Sequence, residues 1–156
     1  MPINDRHFAY DLEYSHIVRE VRTPISVYSS RTSADGKCVK TEAVWDTGAT
    51  LSAMSPKMVK DLDLSPIDQC YIDGINGEKK SDVVIVSVTL PNGMLLAGRR
   101  FFVSNIPGAD IIIGMDIISM GDFVITNARG KTMFSFVIPT LNNKISFSNM
   151  VNSKSE

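Results

Sequence analysis

From Thr23 onward, the chain consists of short runs rich in β-branched residues that are separated by Gly, Pro, Asn and Asp. This punctuation is typical of a compact all-β domain, because each run has the length of a strand and ends at turn residues. A chain of 156 residues can bury one core but is too short for two substantial domains. We therefore predict a single all-β domain with strands over residues 23–30, 38–45, 69–75, 81–90, 94–103, 109–113, 123–126 and 132–138.

The fourth of these strands carries the clearest core signal. Its apolar residues alternate with period two, which places one set on a shared face that we expect to be buried. The set is Val84, Val86, Val88 and Leu90. Tight-turn sequences with an Asn-Gly pair lie on either side of the strand, at residues 76–77 and 91–93. Both turns predict antiparallel pairing between the strands that they join.

Two short helices are expected to interrupt the strands. Ser55 is a natural N-cap and Pro56 suits the first helical position. A second helix is predicted over residues 115–119. We expect residues 1–20 to form an N-terminal arm, either ordered or flexible, and residues 21–140 to form the folded domain. Residues 141–156 are rich in Ser, Asn and Lys and are expected to form a flexible tail.

Composition excludes several classes of function. The 16 basic and 17 acidic residues give a net charge of -1, so the chain lacks the cationic surface that nucleic-acid binding requires. Apolar residues make up 44% of the chain but never form the run of ~20 that spans a membrane. The first ten residues are too polar for a secretory signal. We therefore expect a cytoplasmic protein with neither nucleic acid nor membrane as a partner.

The sequence also lacks the motifs of several common catalytic chemistries. It contains no Gly-x-Ser-x-Gly, no His-Glu-x-x-His and no Gly-rich phosphate loop. Cys38 and Cys70 are too few for a disulfide scaffold or a four-ligand zinc site, and we interpret both as reduced thiols. His7 and His16 lie near the start of the chain and are expected at the surface. The sequence therefore predicts no metal and no cofactor.

The most informative segment is 43–50, where an apolar strand leads directly into Asp46, Thr47 and Gly48. A carboxylate in such a place is costly unless it is hydrogen-bonded, paired, or shares a proton with a second acid. Two carboxyls within about 3 Å share one proton and act together as acid and base, which is the chemistry of peptide hydrolysis by an activated water. The same three residues also suit an Asx turn after a strand, so the motif alone does not decide between catalysis and a turn.

Two further segments place this motif in a known pattern. The sequence resembles the retropepsin-like aspartic proteases, in their bacterial and cellular as well as viral forms. In that family an apolar strand leads into Asp-Thr-Gly-Ala, a glycine-rich hairpin forms a flap, and an apolar strand ending in Gly closes the site. The matching segments here are 44–49, 72–77 and 111–116. The resemblance implies a compact closed acid-protease barrel with a flap hairpin and one or two short helices.

The resemblance also implies roles for individual residues. Asp46 would activate the water together with its counterpart from a second subunit, Thr47 would hydrogen-bond across the interface beneath the pair, and Gly48 would contact substrate backbone. Gly74 would act as a hinge of the flap and Ile75 would form its tip. The remaining substrate-binding residues would be the apolar subsite walls Val44, Ala49, Ile72 and Ile112.

One Asp-Thr-Gly per chain implies a homodimer, because a chain with a single motif obtains a second aspartate only by pairing with itself about a two-fold axis. Asp116 follows the second strand that ends in glycine, but we expect it to cap the second helix rather than to react. Viral members often carry Asp and Arg where this chain has Thr50 and Met115. A supporting ion pair is therefore expected to be absent.

These observations predict a homodimeric aspartic endopeptidase, with itself and a peptide or protein substrate as its partners. Two other interpretations stay open. One is a dimer of the same fold that binds peptides, or holds an assembly together, without cleaving. The other is an unrelated all-β binding domain with a chance Asp-Thr-Gly, which would be monomeric.

Overall fold

The computed structural model describes residues 6–74 and 77–152. Its strands are β1 (Phe8–Glu13), β2 (Val21–Tyr28), β3 (Cys38–Trp45), β4 (Ala53–Met54), β5 (Asp68–Gly74), β6 (Gly77–Thr89), β7 (Leu95–Val103), β8 (Ile111–Ile113), β9 (Asp122–Ala128) and β10 (Lys131–Ile138). Its helices are α1 (Pro56–Asp61), α2 (Met115–Ile118) and α3 (Phe147–Asn152). No helix among the described residues has the length and apolar character needed to cross a membrane.

Six of the strands close into a barrel. They follow the order β2-β3-β8-β4-β7-β6, and β6 pairs with β2 to complete the circle. Within it, β3 and β8 run parallel with Ala43 opposite Ile111, while β4 lies antiparallel to β8. The remaining strand of this sheet, β5, pairs antiparallel with β6. The predicted all-β fold with a closed barrel is thus confirmed.

The core face predicted for the fourth strand is also confirmed. Its four apolar residues are 0–2% exposed and belong to the buried hydrophobic core. The predicted turn at 91–93 joins antiparallel strands, and the Leu90 N–H donates to the Met94 carbonyl at 3.0 Å. The predicted turn at 76–77 falls partly outside the described residues, but the strands that it joins are antiparallel.

A second, three-stranded antiparallel sheet has the order β1-β10-β9. Its first strand belongs to the predicted N-terminal arm, so residues 8–13 of that arm are ordered. In β1, Phe8, Tyr10 and Leu12 are half-buried against the core, and the residues between them are exposed. This period-two alternation was present in the sequence and would have predicted the strand.

The two predicted helices begin at the expected residues. The Ser55 hydroxyl accepts a hydrogen bond from the Met58 N–H at 3.2 Å, and Pro56 occupies the first helical position of α1. The second predicted helix is α2, which is one residue shorter than expected. In the predicted tail, α3 forms but buries none of its residues.

Candidate active site

Asp46 lies where β3 leaves the barrel. Its N–H donates to the Ile113 carbonyl at 3.0 Å, which continues the parallel β3–β8 pairing by one residue. Trp45, just before it, is buried, whereas Asp46 is partly exposed and Thr47 and Gly48 are exposed. The chain therefore passes from the core to the surface within a few residues, and this transition presents the carboxylate at the surface end of two core strands.

The Asp46 side chain is oriented by the turn that follows it. The Gly48 N–H donates to Asp46 Oδ1 at 2.8 Å, and the Ala49 N–H donates to the Asp46 carbonyl at 3.2 Å. This is an Asx turn, so the turn interpretation of the motif describes part of the site rather than an alternative to it. Within the described residues no group hydrogen-bonds to Oδ2 of Asp46. One carboxylate oxygen is thus fixed and the other is left for an external partner.

The loop after Asp46 packs tightly against the start of α2. The Met115 N–H donates to the Ala49 carbonyl at 2.8 Å. A Cβ atom on Gly114 would lie 2.7 Å from the Leu51 carbonyl carbon and 2.8 Å from the Ala49 oxygen, distances that real Cβ atoms do not adopt. Glycine is therefore required at this position by close approach of backbone to backbone. Thr50 and Met115, which stand where viral members often carry Asp and Arg, lie in these two segments. Backbone hydrogen bonds join the segments.

Asp116 does not cap α2, so that prediction was wrong. The N-cap is Gly114, which makes no side-chain capping bond, and Asp116 lies inside the first turn because the helix begins at Met115. Its Oδ1 instead accepts a hydrogen bond from Ser52 Oγ at 2.7 Å. Ser52 is fully buried, and its hydroxyl also accepts from the Gly114 N–H at 3.0 Å. Ser52 therefore joins the loop after Asp46 to the α2 segment, a role for which its local sequence gives no signal.

Trp45 fixes the end of β3 from the core side. Its Nε1 donates to Thr23 Oγ1 on β2 at 2.8 Å, and Thr23 is fully buried. The indole also packs against Phe134 and Phe136 of β10, with ring centroids 5.0 and 4.8 Å away. These contacts anchor the residue before Asp46 to both sheets. Sequence reasoning missed them because Thr23 and Trp45 are 22 residues apart in the chain.

A buried phenol lies beside this pair. Burial raises the pKa of the Tyr10 hydroxyl above its ordinary value, and the nearby Thr23 hydroxyl offsets part of that rise. The phenol oxygen has no hydrogen-bond partner among the described residues, so burial keeps this hydroxyl neutral.

Thr47 is exposed, and none of the described residues hydrogen-bonds with its hydroxyl. Its side chain lines a cavity of about 220 Å³ that reaches from the end of β3 to β9. Trp45, Phe123 and Ile125 contribute apolar walls to the same cavity. Thr47 thus lies between the Asp46 turn and β9, an outer strand of the three-stranded sheet.

The structure brings three of the predicted subsite residues close to the motif. Val44 and Ile112 lie opposite each other in the parallel β3–β8 pairing, and both are half-buried. Ala49 is half-buried and bonds to Asp46 through its N–H.

The residues predicted for the flap belong to the β5–β6 hairpin. Ile72 lies opposite Lys79, and Gly74 lies opposite Gly77. Ile75, the predicted flap tip, lies outside the described residues. Across residues 6–74 and 77–152, no group of three or more His, Cys, Asp or Glu side chains is arranged to hold a metal ion.

Comparison with known proteins places the chain in a family. The profile of the family described as "gag-polyprotein putative aspartyl protease" matches residues 31–120, which is more than half of the chain. None of the curated protein sequences matches. Among solved structures, a retropepsin-like aspartic protease from Rickettsia conorii aligns with a TM-score of 0.53 and 15% identity, over 85% of this chain and 96% of that chain. At this identity the likeness shows a shared fold.

A second solved structure, the EIAV protease in complex with the inhibitor HBY-793, aligns with a TM-score of 0.49 and 19% identity over 64% of this chain and 86% of that chain. The family match excludes the interpretation of an unrelated all-β domain with a chance Asp-Thr-Gly. The chain has the retropepsin-like fold and belongs to the family of gag-polyprotein putative aspartyl proteases.

Proposed function

We propose that the protein is a homodimeric aspartic endopeptidase in which two Asp46 residues, one from each subunit, activate a water molecule. The observation that carries this proposal is the geometry of Asp46. One oxygen is fixed by the Gly48 N–H at 2.8 Å, and the other has no partner among the described residues at the surface end of β3. A pre-oriented carboxylate with one free oxygen suits a group that completes its site with a second acid.

In this mechanism the two carboxyls hold one proton between them. The ionised Asp46 takes a proton from the water while the water oxygen attacks the peptide carbonyl carbon. The protonated Asp46 of the other subunit donates its proton to the carbonyl oxygen. Collapse of the tetrahedral intermediate breaks the C–N bond as the departing amine takes the proton gained from water. A hydroxyl of the intermediate returns its proton to the other carboxylate, so the pair again holds one proton. The chain itself supplies only one such carboxyl, so activity requires association.

The other predicted residues fit around this centre. The Thr47 hydroxyl has no partner among the described residues and would bond across the two-fold axis, and Gly48 leaves its surroundings open to substrate backbone. The substrate would lie extended and pair as a strand does, with alternate side chains in apolar subsites. The subsite residues would be Val44, Ala49, Ile112 and Ile72.

The β5–β6 hairpin is proposed as the flap, with Gly74 as hinge and Ile75 at its tip, closing over the substrate to exclude water. The proposed domain comprises residues 21–140, with residues 1–20 as an arm that adds β1 to the second sheet. Residues 141–156 are proposed as a tail outside the catalytic unit.

Cleavage of a diverse peptide library between pH 3 and 8 tests the proposal. Asp46→Asn removes the ionisable group with little change in shape and should abolish cleavage, by about 10³-fold or more if the carboxyl is the reacting group. Asp35→Asn is the matched control, because Asp35 is exposed in the loop between β2 and β3 and should be dispensable. Unchanged cleavage by the Asp46→Asn variant would refute the proposal.

The alternative of a dimer that binds peptides without cleaving makes a different prediction from the same library. Peptides would bind to the wild-type dimer and none would be cut at any pH. Resistance to a pepstatin-like inhibitor would not distinguish the protease from the non-cleaving dimer. Cleavage by the wild-type protein that disappears in Asp46→Asn would exclude the non-cleaving dimer.

A further inference from the structure

The face of β3 that presents Asp46 continues away from the catalytic turn. Side chains alternate along a strand, so Asp46, Val44 and Glu42 share one face. The residues between them, Ala43 and Trp45, are buried on the other face. Val44 is half-buried and Glu42 is exposed. An apolar residue thus follows the catalytic carboxylate on this face, and a second carboxylate follows at a backbone distance of about 13 Å from Asp46.

The neighbouring strand β8 repeats this order of an apolar residue and an acid. Val44 lies opposite Ile112 in the parallel β3–β8 pairing. Two residues earlier in both segments, the same register brings Glu42 beside Asp110, and both acids line one cavity of about 540 Å³. The cavity therefore begins one same-face spacing, about 6.6 Å, from the proposed subsite residues Val44 and Ile112.

The cation of this cavity is Arg22, and its guanidinium is already engaged. Its Nε donates to Glu20 Oε1 at 2.6 Å, and its Nη2 donates to the Gly108 carbonyl at 2.9 Å. These bonds hold the loop between β7 and β8 against β2. In the described part of the chain, no hydrogen bond or ion pair joins Arg22 to Glu42. Arg22 therefore shapes the wall of the cavity without neutralising the carboxylate of Glu42.

The two acids of the cavity differ in their partners. Asp110 Oδ1 accepts a hydrogen bond from Ser55 Oγ at 2.7 Å, and its Oδ2 lies 3.8 Å from Lys57 Nζ. The Glu42 side chain has neither a hydrogen bond nor an ion pair with any residue that the structure describes. Lys40, the next residue on the same face of β3, lines a separate cavity. Glu42 therefore offers an unpaired carboxylate to a cation from outside the chain.

We propose that Glu42 determines substrate specificity by pairing with a Lys or Arg side chain of the peptide. This inference rests on the proposed function, because it takes Asp46, Val44 and Ile112 as the floor on which the substrate lies. Side chains on one side of an extended peptide recur about every 6.6 Å, which is the spacing of Val44 and Glu42 on β3.

This match of spacings fixes the substrate position that is read. When the residue next to the cleaved bond contacts Val44 and Ile112, the residue two positions farther along the peptide lies over Glu42. The two-fold axis of the proposed dimer repeats the subsite, so the preference applies to the third residue on both sides of the cleaved bond.

A peptide library that carries Lys, Gln or Glu at this third position tests the proposal. Wild-type protein should cleave the Lys peptides with a kcat/KM roughly three- to tenfold above that of the Gln peptides, the factor expected for one partly exposed charge pair. The Glu peptides should be cleaved slowest. Salt at about 0.5 M should reduce the preference, because it screens exposed charges.

Variants at position 42 assign the preference to its carboxylate. Glu42→Gln should abolish the preference for Lys, and Glu42→Lys should reverse it in favour of Glu peptides. The matched controls are Asp35→Asn and Asp35→Lys, which make the same changes of charge in the exposed loop between β2 and β3 and should keep the wild-type preference. Circular dichroism confirms that each variant folds.

Binding measured without cleavage gives an independent readout. Fluorescence anisotropy of labelled peptides with the Asp46→Asn protein should show the Lys peptide binding roughly three- to tenfold more tightly than the Gln peptide. Adding Glu42→Gln to this variant should remove the difference.

The outcomes separate this subsite from the proposed activity. Cleavage with no preference for Lys at the third position, or with a preference that Glu42→Gln retains, would overturn the role of Glu42 and leave the endopeptidase standing. A binding preference that depends on Glu42, in a protein that cleaves no peptide, would do the reverse. A protein that neither binds nor cleaves any peptide of the library would overturn both.

Discussion

The hydrogen bond between Trp45 and Thr23 allows a quantitative test of what holds the end of β3. Thr23→Val replaces the hydroxyl by a methyl group of nearly the same size and leaves the indole N–H without its acceptor. The donor–acceptor distance is 2.8 Å, Thr23 is 0% exposed and Trp45 is 5% exposed, so water cannot replace the lost partner. An unsatisfied buried donor costs about 1–3 kcal/mol, and the added methyl recovers part of this because it is buried.

We therefore expect Thr23→Val to lower the free energy of unfolding by about 1–2 kcal/mol. For a domain of this size that loss corresponds to a fall in Tm of roughly 2–8 °C. The measurement is thermal unfolding by circular dichroism at one fixed protein concentration, because the Tm of an associating protein depends on concentration.

A double-mutant cycle with Trp45→Phe isolates the bond from other effects of the substitution. Phenylalanine keeps an aromatic ring in the cluster but removes the N–H donor. In the Trp45→Phe background, Thr23→Val should cost nothing or become slightly stabilising, because no donor is left unpaired. A coupling free energy below about 0.5 kcal/mol would refute the argument that this bond anchors β3.

Two further predictions concern the loop that packs on the site and the exit of the chain from β10. Gly114→Ala should destabilise the protein by at least about 1–3 kcal/mol and strongly reduce cleavage, because the alanine Cβ would lie 2.7 Å from the Leu51 carbonyl carbon. An unchanged urea unfolding curve would contradict this prediction. Hydrogen bonds from the Thr140 hydroxyl and the Leu141 N–H lower the pKa of Asp122, so the ionised carboxylate stabilises the fold. This stabilisation is full above the ordinary carboxyl pKa of about 3.9 and is lost as pH falls through the lowered folded-state pKa. Asp122→Asn should therefore be less stable than wild type at pH 7, and the difference should vanish in strong acid; a difference that does not depend on pH would show that the carboxylate charge is irrelevant.

Much of the barrel could be predicted from the sequence because its strands are long enough to show period-two alternation. The core face of β6 and the start of α1 are both set by local patterns of burial and capping, and both are confirmed. By contrast, β4 is only the two residues Ala53–Met54, which is too short to show any period. It is a strand only because it lies between β7 and β8.

The support of the site shows the same division. The Asx turn of Asp46 and Gly48 is local, so residue types at adjacent positions were enough to predict it. The Ser52 bond to Asp116 joins positions 64 residues apart, and no local pattern signals it. Local residue types therefore favour a capping role for Asp116, whereas in the fold its carboxylate pairs with Ser52.

By itself, the sequence determined the all-β class, most of the barrel strands and the position of the Asp-Thr-Gly turn, because each depends on patterns within about ten consecutive residues. The family resemblance followed from the order of three such segments, 44–49, 72–77 and 111–116. Only the tertiary structure decided what surrounds that turn. It placed Thr23 against Trp45, packed the loop after Asp46 against the start of α2 and brought Thr47 beside the outer strand β9. The physical reason is that burial and hydrogen-bond satisfaction depend on which distant segments meet in space, and this is fixed only when the two sheets pack together.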